Sequence, residues 1–275
     1  MRDNERFMLG LSLLAASLLL ALGMGAAPAA GLLLECTLII DASSGEALSR
    51  KGTCDQGFAP ASTFKVPLAL MGFDSGVLKD PKTPSWDYRP EFNANKRQQK
   101  TVNPTIWLED SIVWYSQQIT QQIGEERFAD YVAKFNYGNM DVSGDPGKNN
   151  GLTHSWLMSS LKISPVEQVR FIRAMLDRQL ALSAKAYDMT ETIMPRFAID
   201  GGWIVHGKTG SGRLREKNDV DGKVRPVGWF VGWAKKDGRR VAFARLQIGN
   251  GKADKRPGFQ AREALFEALS KLDLD

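Results

Sequence analysis

The sequence predicts an α+β chain with strands at both ends and helices through the middle, and three stretches carry that expectation. Cys36 to Ala42, a turn at Ser43-Ser44-Gly45 and a return through Glu46 to Arg50 read as a β-hairpin. From about residue 61 to 190 the pattern is mostly helical, broken by loops. After the strong turn Asp200-Gly201-Gly202, a strand over Trp203 to Lys208 is followed by strands over Val227 to Ala234 and Arg240 to Ile248. The last two are joined by Lys236-Asp237-Gly238, and a helix from Gly258 to Leu272 closes the chain.

The chain opens with Arg2 and Arg6, an apolar run from Phe7 to Leu22, and small residues from Gly23 to Ala30, which together read as a secretory signal. Cleavage is expected after Ala29, where Ala27 and Ala29 make an A-x-A pattern, so that residues 1–29 leave and 30–275 remain. The run is short for a membrane span, and no second apolar segment follows it. Cys36 would suit a lipid-attachment site only if a small residue preceded it, and Glu35 does not fit. What remains is long enough for one good core, and 43% apolar with 24% charged residues is ordinary for a globular protein.

The formal net charge of +5 suits anionic small molecules or simple solubility. No arginine-rich arm or zinc-finger spacing accompanies it, so no nucleic-acid partner is expected. Cys36 and Cys54 are the two cysteines, and export would place them in an oxidising compartment, where a disulfide is the expected state. With only His154 and His206 besides, a zinc site has too few ligands, and no metal is expected.

In the middle, Phe128 to Phe135 carries helical spacing. Ser164-Pro165-Val166-Glu167 is a capping box with proline at the first helical position, opening a helix towards Leu180. Gly144 to Thr153, rich in glycine and asparagine, is a loop. Tyr137-Gly138-Asn139 reads as a turn with a residue at positive φ. Arg213 to Arg225 is a charged loop.

The chemistry centres on Ala61-Ser62-Thr63-Phe64-Lys65. On a helix, Ser62 and Lys65 share a face. A serine hydroxyl needs an adjacent base, and lysine serves only if burial keeps it unprotonated or chemistry converts it. The same spacing recurs at Ser159 and Lys162, so spacing alone does not decide. Lys208-Thr209-Gly210, on an edge strand, offers a cation, a hydroxyl and a close-approach glycine suited to a substrate carboxylate.

The ordered set Ser62-Thr63-Phe64-Lys65, Ser111-Ile112-Val113, Tyr137-Gly138-Asn139, Trp156-Leu157, Lys208-Thr209-Gly210 and Gly228-Trp229-Phe230-Val231-Gly232-Trp233 resembles the class D, oxacillinase-type serine β-lactamases over nearly the whole mature chain. The resemblance implies a penicillin-recognising fold: an antiparallel sheet flanked by helices, about 30–60 and 190–275, with a mostly helical part, about 61–189. It implies hydrolysis of the β-lactam amide of penicillins in the periplasm, by a monomer or homodimer that needs no cofactor beyond carbon dioxide and touches no membrane once the signal is gone.

Residue by residue, the resemblance makes Ser62 the acylated nucleophile and Lys65 a carboxylated lysine serving as base. Phe64, Val113 and Leu157 desolvate that lysine, and Trp156 donates to its carbamate. Ser111 relays a proton to the leaving nitrogen with Lys208 nearby. The backbone N–H groups of Ser62 and Ser211 form the oxyanion hole. Thr209, Gly210 and an arginine bind the substrate. Ala261-Arg262-Glu263-Ala264 matches the family's last helix, which assigns that arginine to Arg262, with Arg256 as the alternative. Family members often carry an aromatic residue where Ser211 stands. A penicillin-binding carboxypeptidase and a non-hydrolysing β-lactam sensor share much of this logic and are the alternative functions; the absence of Ser-Asp-Asn separates the chain from class A.

Overall fold

The computed structural model describes residues 32–215, 224–251 and 256–273. The expected signal segment and its cleavage site lie outside them, as do residues 216–223 of the charged loop. Among the described residues no helix is long and apolar enough to cross a membrane.

Six antiparallel strands form one sheet in the order β2-β1-β6-β5-β4-β3, where β1 is Leu32–Asp41, β2 Ala47–Gly52, β3 Arg196–Ala198, β4 Ile204–Leu214, β5 Arg225–Lys236 and β6 Arg239–Gly249. The sheet therefore takes strands from both ends of the sequence. Both of its faces are covered, which is why β5 and β6 read as nearly unbroken apolar runs instead of an apolar-polar alternation. Along β5, Val227, Trp229, Val231 and Trp233 enter the larger core, while Phe230 and Ala234 face a smaller one. Helix α8, Pro257–Ser270, fills the second core with Ala261, Leu265 and Leu269, spaced one turn apart.

The helical part lies between the two sets of strands: α1 Lys65–Asp74, α2 Pro104–Asp110, α3 Val113–Ile123, α4 Glu125–Lys134, the single turn α5 Gly151–His154, α6 Pro165–Leu176 and α7 Ala184–Ile193. Helix α1 has residues 65–73 all buried, so it carries no polar face and runs through the centre of the larger core. The capping box at Ser164 and Glu167 forms with both reciprocal bonds, but α6 stops at Leu176, short of Leu180. Cys36 and Cys54 are joined in a disulfide, and Cys36 pairs with Gly52 in the hairpin register.

The ends of the charged loop are strand: Arg213 and Leu214 pair with Pro226 and Arg225. This extension continues the β4–β5 ladder past Gly210. Among the described residues only Ile204, Val205 and His206 of β4 pair with β3, so from Lys208 onward no described strand pairs with β4 on that side.

Candidate active site

Ser62 sits in a 3-10 turn, Ala61–Phe64, that runs directly into α1. The turn is entered through Ala61 at φ 50°, an unfavourable conformation for a residue with a Cβ, and it is tied from several sides. Ala61 N donates to Trp156 O at 3.0 Å. Thr63 Oγ1 donates to Pro60 O at 2.7 Å and accepts from Gln168 Nε2 at 3.1 Å; Tyr137 O–H donates to Gln168 Oε1 at 3.2 Å. Trp229 Nε1 fixes Ala59 O at 3.0 Å. Gly138, at φ 58°, lets its chain pass Lys162 O where a Cβ would come within 2.0 Å, and this turn delivers Tyr137 to that network.

Lys65 is completely buried and its Nζ donates to Ser62 Oγ at 3.3 Å. Burial first, then the charges of Lys208 and Arg97, drive its pKa well below the ordinary lysine value. The other Ser-x-x-Lys pair separates instead: Ser159 Oγ donates to Asp145 at 2.8 Å, and Lys162 is exposed. Phe64 stacks on Trp156 with ring centroids 5.2 Å apart, and both are fully buried. The Trp156 Nε1–H is buried with no acceptor among the described residues. Leu157 is half-buried and packs against the larger core, while the half-buried Val113 lines the cavity beside Ser62.

Ser111 caps the C-terminus of α2 at φ 59°, and its Oγ accepts from Lys208 Nζ at 3.0 Å. This bond crosses from the helical part to the sheet. Lys208 also donates to Thr209 O at 3.0 Å. It is nearly fully buried, and burial, with Arg97 nearby, pulls its pKa down to about 7. The loop before α2 contributes two residues that sequence reasoning missed. Gln98 Oε1 accepts from Val113 N at 2.7 Å, supplying the N-terminus of α3 with a partner 15 residues away, and Arg97 Nη1 donates to Asp110 O at 2.7 Å. Neither contact has a local spacing that could announce it.

Ser62, Ser111, Val113, Thr209, Ser211 and Arg256 line a cavity of about 540 Å³ that also receives Arg97 and Gln98. The predicted Ser62, Lys65, Ser111, Trp156, Lys208, Thr209 and Ser211 thus converge, with Gly210 buried behind Thr209. At Gly258, the start of α8 is pressed against β4: a Cβ there would lie 2.5 Å from Gly210 O, and its N–H donates to Ser211 Oγ at 3.0 Å.

Arg262 departs from expectation. Its guanidinium lies over Phe259, Phe197 and Phe266 at 4.9, 5.1 and 5.7 Å, beside the second core, and it does not line the cavity. Helix α8 begins at Pro257, so Arg256, not Arg262, stands at the end that meets β4. His206, as expected for strand packing, stacks on Trp233 at 5.0 Å.

Residues 35–271 match the penicillin-binding protein transpeptidase domain family. The chain is 52% identical over 241 residues to β-lactamase OXA-9 of Klebsiella pneumoniae, covering 87% of this chain and 88% of that protein. It is 35% identical to β-lactamase OXA-1 of Escherichia coli, covering 87% and 85% respectively. The crystal structure of the class D β-lactamase OXA-427 superposes with a TM-score of 0.79 at 40% identity, over 86% of this chain and 96% of that one. Fold, motif order and these relatives agree: the chain belongs to the class D β-lactamases, within the penicillin-binding transpeptidase-domain family.

Proposed function

We propose that this β-lactamase hydrolyses the β-lactam amide of penicillins through an acyl-enzyme on Ser62. The observation that carries the reading is the fully buried Lys65 amine 3.3 Å from Ser62 Oγ. An ammonium at that depth would cost several kcal/mol to desolvate, which favours the neutral amine. A neutral amine is the form that attacks carbon dioxide. The surroundings fit the product, because the buried Trp156 Nε1–H has no acceptor among the described residues and would donate to one carbamate oxygen. Carbon dioxide bound there supplies a base that can take the Ser62 proton and later activate water.

The chain's own residues do the rest. Ser62 Oγ adds to the lactam carbonyl, whose developing charge the N–H groups of Ser62 and Ser211 receive at the cavity wall. Ser111 Oγ gives its proton to the leaving lactam nitrogen as the C–N bond breaks. Lys208, bonded to Ser111 and with a pKa brought to about 7, replaces that proton. Thr209 and Arg256 hold the substrate carboxylate. Water then opens the Ser62 ester. We place the enzyme in the periplasm as a monomer or homodimer, free of the membrane and of nucleic acid.

The test is steady-state and single-turnover penicillin hydrolysis with and without bicarbonate, following the Ser62 adduct by intact mass. Turnover stimulated by bicarbonate is expected. A persistent adduct with no turnover, bicarbonate present, would make the chain a sensor or penicillin-binding protein in function.

A further inference from the structure

Resting on that reading, we propose that Arg97 is a second anion-recognising group of the cleft, selecting β-lactams that carry a carboxylate on the acyl side chain. Arg97 and Arg256 line the same cavity as Ser62 but come from different parts of the fold, Arg97 from the loop before α2 and Arg256 from the start of α8 on the sheet. In a penicillin the ring carboxylate lies on the nitrogen side of the scissile bond, and the acylamino group on the carbonyl side. A substrate whose ring carboxylate meets Thr209 and Arg256 therefore sends its acyl side chain away from them, towards the wall that Arg97 and Gln98 build.

Arg97 is fixed for such a role. One guanidinium nitrogen is spent on Asp110 O at 2.7 Å, which anchors the side chain and leaves other N–H groups for a ligand. Among the described residues no carboxylate forms an ion pair with it. The nearby Asp110 carboxylate is taken by Lys100 at 2.5 Å, and Glu109 is exposed at the rim. Arg97 shares the cavity wall with Ser62, Ser111 and Thr209, and its charge is among the influences that lower the pKa of Lys65 and Lys208. Ionic recognition of a second carboxylate follows from a cation placed this way, at the strength of a partly exposed pair.

The experiment compares benzylpenicillin with its α-carboxy derivative on the mature enzyme and on Arg97→Gln and Arg97→Lys. The reading is the ratio of kcat/KM for the two substrates, in which any common effect of Arg97 on the lysines, or of incomplete folding, cancels. In Arg97→Gln the ratio should fall about fivefold against the dicarboxylate, through its KM, the upper end of what an exposed ion pair supplies. Arg97→Lys should recover most of that loss. A ratio unmoved in Arg97→Gln, or one that falls equally in Arg97→Lys, overturns the assignment while hydrolysis itself stands. Wild-type enzyme that turns over neither penicillin refutes the hydrolase reading beneath it.

Discussion

Trp156→Phe isolates a single N–H. The indole donor is buried without an acceptor among the described residues, and its ring stacks on Phe64 at 5.2 Å. Phenylalanine keeps an aromatic face for that stack and removes the donor. Losing the smaller ring's worth of packing should cost about 1–2 kcal/mol of stability, with some relief because a buried donor with no partner is itself unfavourable. The effect on carboxylation should be larger in kind. A hydrogen bond to a charged group contributes about 1.5–3 kcal/mol, so the bicarbonate concentration giving half-maximal activity should rise about 10- to 100-fold. The assay is penicillin turnover titrated with bicarbonate, beside a thermal melt. Below saturation, the Ser62 adduct should linger. A half-maximal concentration equal to that of the wild type, in a folded variant, would refute the role given to Trp156.

Three further outcomes follow from the same geometry. Lys65→Ala should fold, since it removes a buried amine, yet lose both acylation and deacylation; an adduct formed within minutes by intact mass would contradict the base assignment. Arg256→Ala should raise the penicillin KM about tenfold, as loss of one charged contact does, whereas Arg262→Ala should lower the melting temperature through its three phenyl contacts and spare KM; the reverse pattern would restore the original assignment. In bicarbonate-free buffer, stability should rise between pH 7 and the ordinary lysine range. Lys208 is depressed to about 7 when folded and Lys65 is lowered as well, so the unfolded chain binds extra protons in that window, each lysine adding up to about 1.4 kcal/mol per pH unit to the slope. A flat denaturation profile over that range would show Lys208 unperturbed.

What was legible in the sequence was whatever local chemistry fixes. The capping box at Ser164 and Glu167 is written in four residues, and Lys236-Asp237-Gly238 supplies the two positive φ values, 47° at Asp237 and 80° at Gly238, that a tight hairpin needs. The burial of Lys65 was not fixed by its own spacing, which recurs at Ser159 and Lys162, and was expected only through the resemblance. Arg97 and Gln98 were not, because their partners lie 13 and 15 residues on and depend on how a loop folds over α2 and α3. Arg262 misled for a different reason. It stands one residue after Ala261 in the stripe Ala261, Leu265, Leu269, which turns it towards the second core, while Pro257, a first-turn proline, already marked where the helix begins and hence that Arg256 is the terminal arginine.

Ser111 also bears on how such an enzyme can drift. A left-handed φ of 59° costs a residue with a Cβ roughly 1–2 kcal/mol that glycine would not incur. Selection for robustness alone would therefore favour glycine at this position and discard the hydroxyl that Lys208 holds. The serine persists only while turnover is under selection. A lineage released from antibiotic pressure could gain thermal tolerance in one substitution and, on the role proposed for Ser111, lose acylation and hydrolysis together, keeping the fold but not the chemistry.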